Sequence, residues 1–304
     1  MIFSIIGNYY YGQEVYQRVS AMCQKHLFPN LRDLVWVTLV SRPLESWSLP
    51  SPLRSLTIYQ TNFTCLDEAL RQAAHDAPDL ESLKIIFCLS DRSAPYTTVD
   101  PLPFNHLKSV SLTYLGITRV DICHCLSLAP ITVLTIVISD SAKMWQPRSL
   151  VFHTLEVLCI TGDPVPVNLF IKHVRGAHLR KVFCILRRNP DITFSDCQEL
   201  LDTVLLKMHG QSLRVLSIII NSKKLFLENP CTFDRLIKDS LSKLRLYVLG
   251  SAIETLILVL PHHLTGEKSD VKDGFWYHYS GLSIETLKTA TSSGPRRCSS
   301  EFDR

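Results

Sequence analysis

The chain has 304 residues, of which 46% are hydrophobic and 20% are charged, enough apolar residues for a large buried core. This composition excludes a chain that is disordered throughout. Lysine and arginine number 32 against 28 acidic residues, a formal net charge of +4, so charge gives no reason to expect nucleic acid or an anionic membrane as a partner.

The first 30 residues precede any repeated pattern. Residues 13–27 have a helix-forming composition, and we expect residues 1–30 to form a helical cap on the open end of the structure that follows. The first seven residues lack the basic region of a signal peptide, and no stretch approaches the ~18 consecutive apolar residues of a membrane span. We therefore expect a cytoplasmic or nuclear location and no membrane partner.

From residue 31 onwards one pattern recurs: an apolar residue, two variable residues, a second apolar residue, one variable residue and a third apolar residue. Eight copies are clear, and Ile253-Leu256-Leu258 is a candidate ninth. The eight are Leu31-Leu34-Trp36, Leu53-Leu56-Ile58, Leu80-Leu83-Ile85, Leu107-Val110-Leu112, Ile131-Leu134-Ile136, Leu155-Leu158-Ile160, Leu179-Val182-Cys184 and Leu213-Leu216-Ile218. Their first positions are 22, 27, 27, 24, 24, 24 and 34 residues apart. Both the motif and the period are those of leucine-rich repeats.

The last two apolar positions of each copy are two residues apart, so on a strand their side chains point to the same side. Stacked strands then bury one continuous core. Between copies, helical spacing of apolar residues occurs in 65–75, 120–128, 167–174 and 195–209, the last with Ser195 as its expected N-cap. We predict an α/β leucine-rich-repeat solenoid, or horseshoe, over residues 31–260, with a parallel concave β-sheet and a helical or irregular convex side.

The pattern weakens after Ile218. Residues 232–248 are expected to be helical. Residues 290–304 contain almost no apolar side chains, and we expect residues 261–304 to form an irregular, partly disordered C-terminal tail.

The sequence contains only weak candidates for catalytic, cofactor-binding or metal-binding motifs. The sequence has none of the familiar signatures of serine hydrolases, zinc proteases, P-loop proteins or dinucleotide-binding proteins. Cys123-His124-Cys125 lacks a second ligand pair at zinc-site spacing, and the ten scattered cysteines suit buried thiols in a reducing compartment. We therefore predict no enzymatic activity, no cofactor, no metal and no nucleic-acid partner.

Three phrases carry a resemblance: LFPNLRDLVW at 27–36, LPSPLRSL at 49–56 and APDLESL at 77–83. They resemble the leucine-rich-repeat region of the F-box protein family of mushroom-forming (basidiomycete) fungi, over about residues 13–220. In that family an F-box docks on the Skp adaptor of a cullin–RING ubiquitin ligase, and the repeats are taken to recognise a target.

No F-box is visible here, because its Leu-Pro opening is absent and only 30 residues precede the first repeat. The resemblance implies the target-binding repeat region of an F-box-type ubiquitin-ligase adaptor. A Skp-type partner is expected only if an F-box lies upstream of Met1. The alternative is a free-standing leucine-rich-repeat scaffold with no ubiquitin role.

The candidate site is the concave strand face, where the residues between the core positions point outward. β-branched residues there suit any strand, but Tyr59 and Phe183 are less easily explained, and a contiguous apolar face is a common mark of an interaction surface. Lys84 and Lys181 favour an acidic rim on the partner, and the proline-rich segment 91–105 is a competing site. We predict that a protein partner contacts Tyr59, Lys84, Thr113, Thr135, Thr161 and Phe183.

Overall fold

The computed structural model of this α/β protein describes residues 2–7, 30–38, 49, 51–60, 66–87, 102–115, 121–138, 149–176, 178–186, 193–208, 213–220, 255–260 and 275–280. It divides into two compact units, Met1–Leu155 and Glu156–Arg304. The predicted solenoid, residues 31–260, extends across this division. The predicted domain limits stay a prediction.

The first unit contains strands β1 (Ile2–Gly7), β2 (Asp33–Thr38), β3 (Ser55–Gln60), β4 (Ser82–Phe87), β5 (Ser109–Leu115), β6 (Val133–Ile138) and the two-residue β7 (Leu150–Val151). Its described helices are α1 (Leu66–Asp76) and α2 (Asp121–Cys125). Strands β1 to β6 pair in chain order, and all five pairings are parallel. Strand β5 carries one extra residue between Thr113 and Leu115, where its register with β6 shifts.

The second unit contains β8 (Val157–Gly162), α3 (Pro164–His173), the two-residue β9 (Val174–Arg175), β10 (Lys181–Leu186), α4 (Phe194–Met208), β11 (Val215–Ile220), β12 (Thr255–Leu260) and β13 (Phe275–Ser280). Strands β8, β10, β11 and β12 pair in that order and in parallel. Strand β13 pairs with β12 in the antiparallel sense.

The strands predicted from the repeat are confirmed. All eight are present, and each begins one residue before the second apolar position of its triplet. The candidate ninth copy also forms a strand, β12, which begins one residue before Leu256. The parallel pairing within each unit agrees with the prediction that successive repeats stack their strands side by side.

The core is made of the triplets themselves. Every described member of the eight triplets is at most 5% exposed, and most are fully buried. Further along the same side, Phe87, Ile138 and Leu186 follow the third apolar residue by two positions and Leu115 follows it by three, because of the extra residue in β5, and all four are buried. In β4, β5, β6 and β10 the core side is therefore buried along the length of the strand.

Neighbouring repeats are also joined by a main-chain ladder just before the strands begin. We call the residue that immediately precedes a strand its pre-strand residue. The carbonyl oxygen of Arg54, for example, accepts hydrogen bonds from the N–H groups of both Glu81 and Ser82. The same pair of hydrogen bonds recurs at six pre-strand carbonyl oxygens, with N···O distances of 2.8–3.0 Å. They belong to Arg32, Arg54, Glu81, Lys108, Glu156 and Arg180.

The predicted crossover helices are confirmed in the described ranges. In α1, Leu66, Ala69, Leu70 and Ala73 are buried at the spacing of one helical face. The carboxylate of Asp76, the last residue of α1, accepts a hydrogen bond from the backbone N–H of Leu49 at 3.0 Å. This bond ties the segment before β3 to the end of the helix.

The predicted N-cap of α4 is wrong. Thr193, rather than Ser195, precedes the first helical residue, and its hydroxyl oxygen accepts a hydrogen bond from the backbone N–H of Asp196 at 3.2 Å. The Asp196 carboxylate in turn accepts bonds from the Thr193 N–H at 2.9 Å and hydroxyl at 2.6 Å. This reciprocal arrangement is a capping box, with aspartate in place of the usual glutamate.

Two strands were not expected. Strand β1 lies within residues 1–30, which the sequence assigns to a helical cap, and β13 lies within the predicted irregular tail of residues 261–304. Each extends the sheet of its unit by one strand. The helices predicted at 13–27 and 232–248, the tail at 290–304 and most of the loop at 91–105 lie outside the described residues.

Candidate functional site

Side chains on the strands alternate between the core and the opposite side. In β4, Leu83, Ile85 and Phe87 are buried, whereas Ser82 and Ile86 are half-buried and Lys84 is exposed. The same alternation holds in β6, β8 and β10. We call the side formed by the alternating, less buried positions the open face, and describe it separately for each unit.

Strand pairing arranges the open face of the first unit in three rows. The row nearest the strand beginnings holds Asp33, Ser55, Ser82, Ser109 and Val133; the middle row holds Val35, Thr57, Lys84, Ser111 and Thr135; the third row holds Tyr59, Ile86, Thr113 and Val137. The first two rows are rich in hydroxyl groups and the third is mainly apolar.

Four predicted site residues belong to this unit. Tyr59 and Thr113 share the third row and are separated by Ile86, while Lys84 and Thr135 share the middle row and are separated by Ser111. Because neighbouring strands lie roughly 4.8 Å apart, the four backbone positions fit within about 16 Å. Tyr59 is 40% exposed, so its ring is open to solvent as predicted.

The second unit brings the other two predicted residues together. Phe183 lies between Cys159 and Ser217 in one row, and Thr161 lies beside Ile185 in the next. Phe183 and Thr161 are both half-buried. The six predicted residues thus form two groups, one per unit, and a single face that presents all six stays a prediction.

Ile185 was not singled out from the sequence, yet it is 40% exposed, as open as Tyr59. It lies between Thr161 and Ile219 on neighbouring strands. An isoleucine in a strand is unremarkable in a sequence. The triplet of its repeat places Ile185 on the outward side of the strand, but only the structure shows how much of the side chain is exposed.

Charge is concentrated beside the open face rather than on it. Asp33 and Lys84 are the charged residues at its described positions in the first unit, and Lys181 in the second. The pre-strand residues, by contrast, are mostly charged: Arg32, Arg54, Glu81, Lys108, Glu156, Arg180 and Arg214, with Thr132 as the exception. In the sequence, each pre-strand residue is the first variable residue of its triplet, directly after the first apolar position.

Some of these charges neutralise one another. The Arg54 guanidinium lies 3.5 Å from the Asp79 carboxylate and 3.2 Å from that of Glu81, and it donates a hydrogen bond to the Asp79 carbonyl oxygen. All three side chains are about half exposed. Solvent screens such pairs, so each contributes at most about 1 kcal/mol to stability.

Both cysteines of the sequence Cys123-His124-Cys125 are buried in the core. Cys123 and Cys125 are each 1% exposed in α2, and the carbonyl oxygen of His124 accepts a bond from the Ser127 hydroxyl at 2.6 Å. Over the described residues, no group of three His, Cys, Asp or Glu side chains is placed to hold a metal ion.

Two other buried thiols, those of Cys184 and Cys197, are poor nucleophiles. Burial raises the pKa of Cys184 to about 12, with a smaller contribution from Cys159. Burial also raises the pKa of Cys197 to about 12, assisted by the Asp196 carboxylate. Both remain protonated at neutral pH, so neither is activated as a nucleophile.

An ion pair joins α3 to α4 away from the strands. The Lys172 ammonium donates to the Glu199 carboxylate at 2.6 Å. This hydrogen bond is the main cause that lowers the pKa of Glu199. The pair is a contact between two helices, and a hydrogen bond from the Asn168 side chain also lowers the pKa of Glu199.

Within the described ranges, no helix is long and apolar enough to cross a membrane. Comparisons of the chain with protein-family models and with curated proteins find no match.

Proposed function

We propose that this chain is a non-catalytic protein-recognition module, built as a leucine-rich-repeat solenoid whose concave side is the open face. Three features support the solenoid: the period of the triplets, the burial of every described triplet residue, and the parallel pairing of consecutive strands within each unit. In repeat proteins of this kind, one side chain from each successive repeat contributes to a shared binding surface.

The observation that carries the proposal is the exposure of large apolar side chains on the strands. Tyr59 and Ile185 are each 40% exposed at open-face positions, where a strand without a partner is served equally well by small or charged residues. Ile86 and Phe183 lie beside them, half-buried. Aromatic and aliphatic anchors of this kind dominate the energy of protein interfaces.

For the cellular role we propose the target-binding region of an F-box-type ubiquitin-ligase adaptor. This role rests on the resemblance of residues 27–36, 49–56 and 77–83 to that family. The alternative is a free-standing leucine-rich-repeat scaffold with no ubiquitin role. An in-frame F-box upstream of Met1, together with Skp-adaptor binding that depends on it, would support the first role over the second.

The recognition proposal is tested by first identifying a partner through affinity capture and then measuring its affinity with purified proteins. The double variant Tyr59→Ala with Phe183→Ala removes one anchor from each unit. We expect it to weaken binding by at least about thirtyfold, since truncating an anchor typically costs 2 kcal/mol or more. Circular dichroism establishes that the variant is folded.

A matched control removes exposed apolar side chains that do not lie on the strands of the open face. Leu128, after α2, is 67% exposed, and Val165, in α3, is 49% exposed. Leu128→Ala with Val165→Ala should leave the affinity unchanged. Binding that survives loss of Tyr59 and Phe183 but is lost in this control, or on shortening the 91–105 segment, would show that the open face is not the site.

A further inference from the structure

The open face of the first unit carries two stripes of different polarity that run across strands β3 to β6. The polar stripe takes one residue from each strand: Thr57, Lys84, Ser111 and Thr135. The apolar stripe, one row further along the strands, consists of Tyr59, Ile86 and Val137, with Thr113 between the last two. Alternate residues of a strand lie roughly 6.6 Å apart, so the stripes run side by side at that distance. A ligand that follows them has to present one polar and one apolar edge.

The apolar stripe is accessible along its length. Tyr59, at one end, is 40% exposed, and Ile86 and Val137 are half-buried. Three strand spacings of roughly 4.8 Å separate the backbone of Tyr59 from that of Val137, so the stripe is about 14 Å long. One side chain of a partner is too short to cover both ends, and a partner that uses the whole stripe must supply several apolar residues in a line.

The polar stripe offers hydrogen-bonding groups that the chain itself does not use. Within the described part of the chain, the hydroxyl groups of Thr57, Ser111 and Thr135 form no hydrogen bond. Those of Thr132 and Thr154, which lie off the open face, donate to backbone carbonyl oxygens. The hydroxyl groups of the polar stripe are therefore available to the polar side chains of a partner.

Lys84 supplies the one charge of the polar stripe. It is exposed and forms no ion pair with any side chain of the described residues. Asp33, the other charged residue described on this open face, lies two strands away in the row nearest the strand beginnings, with its backbone roughly 12 Å from that of Lys84. Glu81, which precedes β4, is paired with Arg54. An acidic side chain of a partner can therefore approach Lys84 without displacing a carboxylate of the described chain.

The spacing of the strands favours an α-helix as the ligand. One face of a helix recurs every turn, roughly 5.4 Å, which exceeds the strand spacing of about 4.8 Å by only ~0.6 Å. Over three strand spacings the mismatch grows to about 2 Å, so a helix of three turns keeps one contact per strand, and its diameter of about 10 Å covers both stripes. An extended segment laid in the same direction repeats its side chains every ~6.7 Å and loses register after one strand. An extended segment laid along a strand meets the apolar stripe only once.

We propose that the open face of the first unit binds an amphipathic α-helix of a protein partner, laid across strands β3 to β6. Apolar residues that recur every three or four positions of the helix would pack on Tyr59, Ile86 and Val137. The polar edge of the helix would lie on the polar stripe, with an acidic residue beside Lys84. Amphipathic helices are commonly recognised through anchors at this spacing. This inference rests on the proposed function and specifies the conformation and polarity of the partner.

The test begins with a selection of displayed random peptides, long enough for at least three helical turns, against the full-length chain. We expect the selected peptides to repeat large apolar residues every three or four positions, with Asp or Glu on the flanking face. A proline introduced in the middle of such a peptide should weaken its binding at least about thirtyfold, because proline breaks a helix. A covalent bridge between side chains at i and i+4, placed away from the apolar face, should strengthen binding by holding the helix in advance.

Variants of the chain test the direction of the helix. Tyr59→Thr should weaken binding at least about tenfold and Val137→Thr at least about threefold, because one helix contacts both ends of the apolar stripe. Threonine suits a strand, and circular dichroism establishes that each variant is folded. Lys84→Glu should weaken the binding of acidic peptides at least about tenfold and reduce its dependence on salt. Lys108→Glu, at an exposed pre-strand position off both stripes, is the matched control for Lys84 and should leave the affinity unchanged within about twofold.

The outcomes separate the helical partner from the recognition module itself. Peptides that tolerate an internal proline but depend on Tyr59 or Lys84 overturn the helix and leave the recognition face standing. So do peptides that respond to Tyr59→Thr but not to Val137→Thr, which would identify an extended segment along a strand. Peptides that depend only on Phe183 move recognition to the second unit and likewise overturn the helix on the first. Peptides insensitive to every open-face variant overturn both proposals.

Discussion

Replacing Leu158 with alanine tests whether the triplets carry the core. Leu158 is the second apolar residue of its triplet, is fully buried, and pairs in register with Val182 on β10. The substitution removes about three methylene equivalents, worth roughly 2–3 kcal/mol of lost transfer free energy at ~0.8 kcal/mol each. The cavity left behind adds to this cost, so we expect about 3–4 kcal/mol in total.

The measurement is urea unfolding followed by circular dichroism, with Val157→Ala as the matched control. Val157 immediately precedes Leu158 on β8 but lies half-buried on the open face. It should cost less than about 1.5 kcal/mol, because the methyl groups removed are partly exposed in the native chain. Domain stabilities are typically 5–15 kcal/mol, so the loss at Leu158 should move the midpoint of unfolding well beyond error.

The same comparison applies in the first unit to Leu134, which is 1% exposed, and to its half-buried neighbour Val133. If the leucine and its neighbour destabilise the chain equally in both units, the assignment of inward and outward positions is wrong. A cost below about 1 kcal/mol at both leucines would refute the burial argument itself.

Cys184 and Cys197 should resist alkylation in the native chain at pH 8 while Cys159 reacts, because burial raises the pKa of the first two to about 12. In the unfolded chain their thiols have the ordinary pKa of about 9.0, so stability should fall as pH rises from about 9 to 12, by up to about 1.4 kcal/mol per pH unit for each thiol. A flat profile in that range would contradict the assigned burial. Lys172→Met should cost less than about 1 kcal/mol, because both partners of its ion pair with Glu199 are largely exposed. The lowered pKa of Glu199 places this contribution above the ordinary carboxyl pKa, and it should disappear as pH falls through the folded-state value and shrink in high salt.

The sequence was sufficient to locate the strands because a strand in this fold is defined locally. The triplet that places Leu83 and Ile85 on one side of β4 also places Leu80 in the core just before it. Each copy of the triplet therefore indicates where its own strand begins, and the repetition makes the pattern recognisable. The open face follows as the complement of the triplets, which is why Tyr59 could be identified as exposed.

The elements that the sequence did not reveal depend on partners elsewhere in the chain. Residues 2–7, Ile-Phe-Ser-Ile-Ile-Gly, contain no triplet, and their strand exists by pairing with β2. Strand β13 lies beyond the periodic region and pairs in the opposite direction. At α4, Thr193 and Ser195 are both suitable N-caps, and the choice falls to Thr193 because Asp196 stands three residues after it. The charged pre-strand residues were not singled out, because the first position after each leading apolar residue looks merely variable in the sequence.

That variability follows from the main-chain ladder. At six of these positions the carbonyl oxygen of the pre-strand residue accepts two N–H bonds from the next repeat, and this main-chain link does not depend on which side chain the residue carries. Mutation can therefore exchange Lys108 or Glu156 and keep this link, whereas a change at Arg54 or Glu81 loses an exposed ion pair worth at most about 1 kcal/mol. The charge at the pre-strand positions can therefore change one repeat at a time. Related chains could keep the same scaffold and yet attract partners of different charge.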